Sequence, residues 1–160
     1  VRQEVSRPLH ASTILAIDPG PERSALVRWD GAALSLSEFA DNSEILTLLR
    51  ARAGDGELLA IEQIVSYGMP VGAEVFETVY WSGRFAEAYG ADCVRRIPRL
   101  KVKVHICHDS RAKDSNIRQA LIDRFGKPGT KKQPGALYGI SGDLWAALAL
   151  AVTALEVFHA

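Results

Sequence analysis

The chain has 160 residues, 48% of them hydrophobic, which suits one compact domain with a sizeable core. Its 19 lysines and arginines balance 19 aspartates and glutamates, so a strong overall pull on nucleic acid or membrane is excluded and any polyanion must be met by a local cluster. No apolar run approaches the roughly 20 residues that cross a bilayer, and Cys93 and Cys107 do not make a disulfide-stapled scaffold; a soluble, cytoplasmic protein with reduced thiols and no membrane contact is expected.

Residues 1–11 read as a polar arm without a signal-peptide core, ahead of a single domain over residues 12–160. Residues 13–17 form a short β-branched run ended by Asp18-Pro19-Gly20, a buried strand stopped by a turn. Residues 24–29 and 33–39 are strand-like and separated by Asp30-Gly31, so an antiparallel three-stranded meander is expected. Asp41-Asn42-Ser43-Glu44 supplies capping chemistry for a helix carrying Ile45, Leu46, Leu48 and Leu49. Residues 58–64 are a second apolar strand, interrupted by Glu62. Residues 71–89 have helical periodicity, with Phe76, Tyr80, Trp81 and Phe85 mostly on the core side and Tyr80 or Trp81 turned out as a dimer contact. Residues 93–97 and 102–107 read as one or two strands, 115–125 as a helix, 126–135 as a Gly, Pro and Lys loop, and 143–158 as a closing Ala- and Leu-rich helix. This order implies a mixed sheet with helices on its faces.

Asp18 and Glu62 each sit at the end of an apolar strand, where an unpaired carboxylate costs several kcal/mol to bury. Ligands in such sheets gather beyond the carboxyl ends of the strands. Asp143 opens the last helix, whose Ala146, Ala147 and Ala149 permit close approach to the sheet. Three convergent carboxylates without cysteine or histidine make a hard site that prefers magnesium, or manganese in its place, to zinc. His105, Cys107, His108 and Cys93 match no common zinc spacing, and His105 and Cys107 alternate as one face of a strand would. Lys127, Lys131 and Lys132, in the loop before Asp143, suit the tracking of phosphates.

Ala16-Ile17-Asp18-Pro19-Gly20, Ala60-Ile61-Glu62-Gln63 and the closing run from Asp143 to Thr153 resemble, in order, the three acidic motifs of the RuvC-type Holliday-junction resolvases. Residues 67–72 and 111–121 further resemble a phage-encoded subgroup of that family. The resemblance implies an α/β, RNase H-like fold: a mixed five-stranded sheet with helices on both faces. It also implies a magnesium-dependent endonuclease that cuts branched DNA (a Holliday junction, fork or flap), usually as a homodimer. By position Asp18, Glu62 and Asp143 become the catalytic metal ligands, while Lys103 and Lys113 lie near the family's functional lysines and Arg111 adds charge beside them. Where the family carries a further acid or histidine on the last helix, this chain has Ala146; where it carries an aromatic after the second acid, this chain has Val65, leaving Tyr67 to stack on a base. Two alternatives follow from the same residues. One is a junction-binding protein with little or no cleavage. The other is a relative of the actin and sugar-kinase ATPases, whose Asp-Gly turn is similar but whose second phosphate motif is absent from so short a chain.

Overall fold

The computed structural model describes residues 13–158, so the arm expected over residues 1–11 lies outside the described residues. The first apolar run forms β1 (Ile14–Asp18), followed by β2 (Arg23–Trp29) and β3 (Leu34–Asp41), paired antiparallel. At the turn between β2 and β3 the Asp30 carboxylate accepts hydrogen bonds from the Ala32 and Ala33 amides at 2.8 and 2.7 Å. After α1 (Asn42–Arg52), β4 (Leu58–Gln63) joins the free side of β1 in parallel. After α2 (Ala73–Tyr89), β5 (Val94–Pro98) joins β4 in parallel, giving the order β3-β2-β1-β4-β5. Three further helices, α3 (Arg99–Cys107), α4 (Asp114–Phe125) and α5 (Leu144–Phe158), complete the α/β fold.

Strand alternation sorts the core into two layers. Ile14, Ala16, Val27 and Ala60 point to the side of α5, where Ile106, Ile117 and Leu121 bring in α3 and α4. Leu15, Ile17, Leu26, Leu59 and Ile61 point to the other side, where Leu49 of α1 and Phe85 of α2 cover them. The sheet is thus covered on both faces. Helix α5 is buried along nearly its whole length, as expected of a helix that is apolar all round, and Ala147, Ala149 and Ala151 let it lie close to β1.

Two expectations are corrected. Residues 102–107 are not a strand but most of helix α3. Val102, Val104 and Ile106 alternate as a strand face would, yet Val104 is 47% exposed while Val102 and Ile106, four residues apart, are buried. The apolar contacts therefore follow the helical period, entered directly after Pro98. His105 accordingly shares no strand face with Cys107; its Nε2 meets Glu156 Oε2 of α5 at 2.5 Å. On α2, Trp81 packs toward the core beside Phe85 and Tyr80 turns out, but Phe76, expected inside, is 66% exposed.

Candidate active site

Asp18 ends β1, and Glu62 stands one residue before the end of β4. Because the two strands are parallel and Ile17 pairs with Ile61, the acids fall at the same level, at the carboxyl ends of neighbouring strands. Alternation places both on the α5 side, each two residues beyond a core alanine, Ala16 or Ala60. The two carboxyls are close enough for the charge of Glu62 to raise that of Asp18.

The turn after Asp18 is fixed by groups the sequence does not advertise. The Gly20 amide donates to Ser24 Oγ at 3.0 Å, Ser24 Oγ donates to Asn42 Oδ1 at 2.6 Å, and Asn42 Nδ2 donates to the Gly20 carbonyl at 2.9 Å. Both side chains are buried. Asn42, expected as helix-capping chemistry, is thus the brace of the turn. A Cβ on Gly20 would stand 2.2 Å from the Arg23 carbonyl oxygen, so only glycine closes this turn undistorted.

Asp143 precedes α5, its carbonyl accepting the Ala146 amide at 3.1 Å, and its side chain is exposed. Its charge nevertheless reaches Asp18. Burial, then repulsion by Glu62 and Asp143, raises the Asp18 carboxyl to about 7, against the pull of Arg99. Burial also raises Glu62, with Arg99 opposing. Glu57, another buried acid, behaves in the opposite way. Burial pushes it up, but hydrogen bonds from Arg28 and Thr13, at 2.6 Å each, outweigh that and hold its carboxyl below the usual range. A structural acid is compensated; Asp18 is not.

Arg99, at the start of α3, and Asp114, at the start of α4, are the residues that sequence reasoning misses. Arg99 Nη1 stands 3.5 Å from Glu62 Oε2, and its Nη2 donates to Asp114 Oδ1. Arg99, Asp114, Asp143 and Ala146 line a hollow of about 80 Å³. The helix position without an acid therefore shares this hollow with a carboxylate supplied by α4.

Among the described residues, no three His, Cys, Asp or Glu side chains converge closely enough to hold a metal ion as they stand. The donor chemistry still fits a hard divalent cation. Asp18 and Glu62 are adjacent, oxygen-only and raised by burial, Asp143 adds a third negative charge, and magnesium completes its shell with water. Arg99 supplies the positive charge on the flank of Glu62.

A second hollow, of about 310 Å³, is lined by Tyr67, Arg99, Leu100, Lys103 and Ser110. It shares Arg99 with the acidic hollow, so Tyr67 and Lys103 are grouped around the same arginine as Asp114 and Asp143. Lys113 adjoins Asp114, its amide donating to Asn116 Oδ1 at 2.9 Å, and Arg111 is exposed just before it. Lys127, Lys131 and Lys132 are exposed on a loop closed by pairing of Gly129 with Pro134. Among the described residues none of these three lysines pairs with Asp18, Glu62 or Asp143.

No family model matches the chain, and no curated protein matches it in sequence. Among solved structures it is similar to the Thermus thermophilus RuvC in complex with Holliday junction substrate, with a TM-score of 0.65 and 17% identity over 88% of this chain and 91% of that one. It is also similar to the Thermus thermophilus RuvC structure, with a TM-score of 0.64 and 19% identity over 92% of this chain and 96% of that one. The chain therefore has the fold of these RuvC structures, the RNase H-like mixed sheet expected from its motifs.

Proposed function

We propose that this chain is a metal-dependent, structure-selective endonuclease that hydrolyses phosphodiester bonds in branched DNA, such as a Holliday junction, fork or flap. The observation that carries this reading is the side-by-side placement of Asp18 and Glu62 at the carboxyl ends of β1 and β4, within charge reach of Asp143. Likeness of fold to a RuvC solved with a Holliday junction substrate supports it. Residues 67–72 and 111–121 support placing it with the phage-encoded subgroup, at work on DNA in the cytoplasm of a bacterial cell.

Asp18, Glu62 and Asp143 would hold magnesium, with manganese as a substitute. When bound, such a cation lowers the pKa of an attacking water and offsets charge on the phosphate. The remaining work falls to the chain itself. Asp18 and Glu62 keep the donor oxygens in a fixed, half-dry position set by the Gly20 turn. Tyr67, 71% exposed, offers a face on which an unstacked base can lie, while Lys103, Arg111 and Lys113 meet the backbone phosphates around it. Lys127, Lys131 and Lys132 extend the contact along a duplex arm.

The reading includes a homodimer. Met69, Phe76, Val79 and Tyr80 are exposed large apolar side chains on α2 and the segment before it, a surface that a second copy would cover.

Two observations favour a second reading, a junction-binding protein without cleavage: Arg99 already engages Glu62, and position 146 is alanine. Labelled junction, duplex, flap, fork and hybrid substrates, incubated with magnesium and with chelator, separate the two. Cleavage of branched DNA in magnesium alone is expected. Gel-shift binding without cleavage in magnesium or manganese would select the second reading.

A further inference from the structure

Arg99 occupies a position that neither the acids nor the surface lysines share. It forms part of the wall of both hollows, the small one with Asp114, Asp143 and Ala146 and the larger one with Tyr67 and Lys103. Its guanidinium fork spans carboxylates from two elements, Glu62 on β4 and Asp114 on α4. The 3.5 Å separation from Glu62 is the outer limit of a hydrogen bond, and it falls on Oε2, an oxygen that a cation held by Glu62 would also seek. Asp114, whose side chain is 82% exposed, is a tether on the solvent side. A planar fork that pairs with a carboxylate pairs equally well with a phosphodiester.

We propose that Arg99 is an exchange arm of this site, neutralising Glu62 in the metal-free protein and moving to a phosphodiester oxygen of the bound strand when a divalent cation takes its place beside Glu62. The inference rests on the nuclease reading and adds a positioning residue to it. Two consequences follow from charge alone. A full positive charge beside Glu62 opposes cation binding, so removing it tightens the metal site. The same charge attracts the strand once a cation has released it from Glu62, so removing it weakens DNA binding chiefly when a divalent cation is present.

The test uses the metal-free full chain. Free Mn²⁺ is followed by electron paramagnetic resonance during titration, and binding of a four-way junction is measured both in chelator and with saturating Ca²⁺, for wild type, Arg99→Gln, Arg99→Lys and Glu62→Gln. Arg99→Gln is expected to bind Mn²⁺ roughly five- to tenfold more tightly than wild type and, with Ca²⁺ present, the junction roughly tenfold more weakly, with a smaller loss in chelator. Arg99→Lys, which keeps the charge, is expected to stay within about twofold for Mn²⁺. Should Arg99→Gln fail to fold, Arg99→Met, which keeps the apolar stem, is held to the same two criteria. The proposal is overturned if the neutral variant binds Mn²⁺ no more tightly than wild type, or binds the junction equally well with Ca²⁺ present, while Glu62→Gln loses Mn²⁺. If wild type and Glu62→Gln take up Mn²⁺ alike, the metal reading itself fails and the role of Arg99 falls with it.

Discussion

A carboxyl that titrates near 7 in the folded chain and near 3.8 when exposed makes the folded state bind a proton that the unfolded state releases. Between those values the folded chain carries the extra proton, so the contribution of Asp18 to stability falls as pH rises through that window and is at its lowest above 7. Glu57 works in the other sense: its lowered carboxyl contributes stability above its usual range and loses it as pH falls. The metal-free protein is therefore expected to melt at progressively lower temperature from about pH 5 to about pH 8. Asp18→Asn should flatten that slope and melt above wild type at about pH 8, the pattern of an acid kept for activity at the expense of stability. Calorimetry in chelator checks it, and an Asp18→Asn protein that melts lower than wild type at that pH would contradict the assignment. At this scale the sequence is legible where a residue violates its surroundings. Asp18 and Glu62 stand out because acids interrupt apolar strands. Arg99 and Asp114 do not, because an acid in the first turn of a helix has a local electrostatic reason to be there and an arginine after a strand has none to be noticed.

The elements most easily read are those whose apolar period has one interpretation. β1 and β4 are short, continuous apolar runs, and α5 is apolar for too long to be a strand. Helix α3 is mistaken for a strand because Val102, Val104 and Ile106 satisfy the strand period locally, while the helical pair Val102 and Ile106 is decided by packing against α4 and α5. That mistake also hides the hollow formed by Arg99, Leu100 and Lys103, since it leaves Arg99 and Leu100 between strands and only Lys103 on one. The turn between β1 and β2 is legible as a turn but not as a braced one, because Ser24 and Asn42 meet only when β2 returns and α1 begins. Gly20→Ala tests the brace. A Cβ 2.2 Å from a backbone oxygen cannot be accommodated by side-chain movement. The substitution should cost about 1–3 kcal/mol of stability and displace Asp18, lowering cleavage more than binding. Denaturant unfolding measures the first effect; a Gly20→Ala variant as stable as wild type would show that the turn relaxes freely.

On the scale of the whole molecule, no helix among the described residues is long and apolar enough to cross a membrane, and with a net charge of zero the proposed binding of DNA rests on the local arrangement of surface charge. The apolar surface of α2 and the segment before it is the feature that stands out. Phe76 at 66% and Tyr80 at 60% exposure are its anchors, both aromatic and on one side of the helix. Phe76→Asp is expected to convert the proposed dimer to monomer in sedimentation velocity while leaving Mn²⁺ uptake intact, and a wild-type protein that sediments as a monomer at high micromolar concentration would contradict that proposal. The proposed chemistry itself depends on the acids rather than on this face. The most direct measurement is the single-turnover rate of four-way junction cleavage in magnesium by wild type, Asp18→Asn and Glu62→Gln at matched junction occupancy. Each substitution is expected to lower the rate roughly a hundred- to a thousandfold with binding retained, the scale of losing a group that stabilises transition-state charge; either variant cutting as fast as wild type would contradict the account.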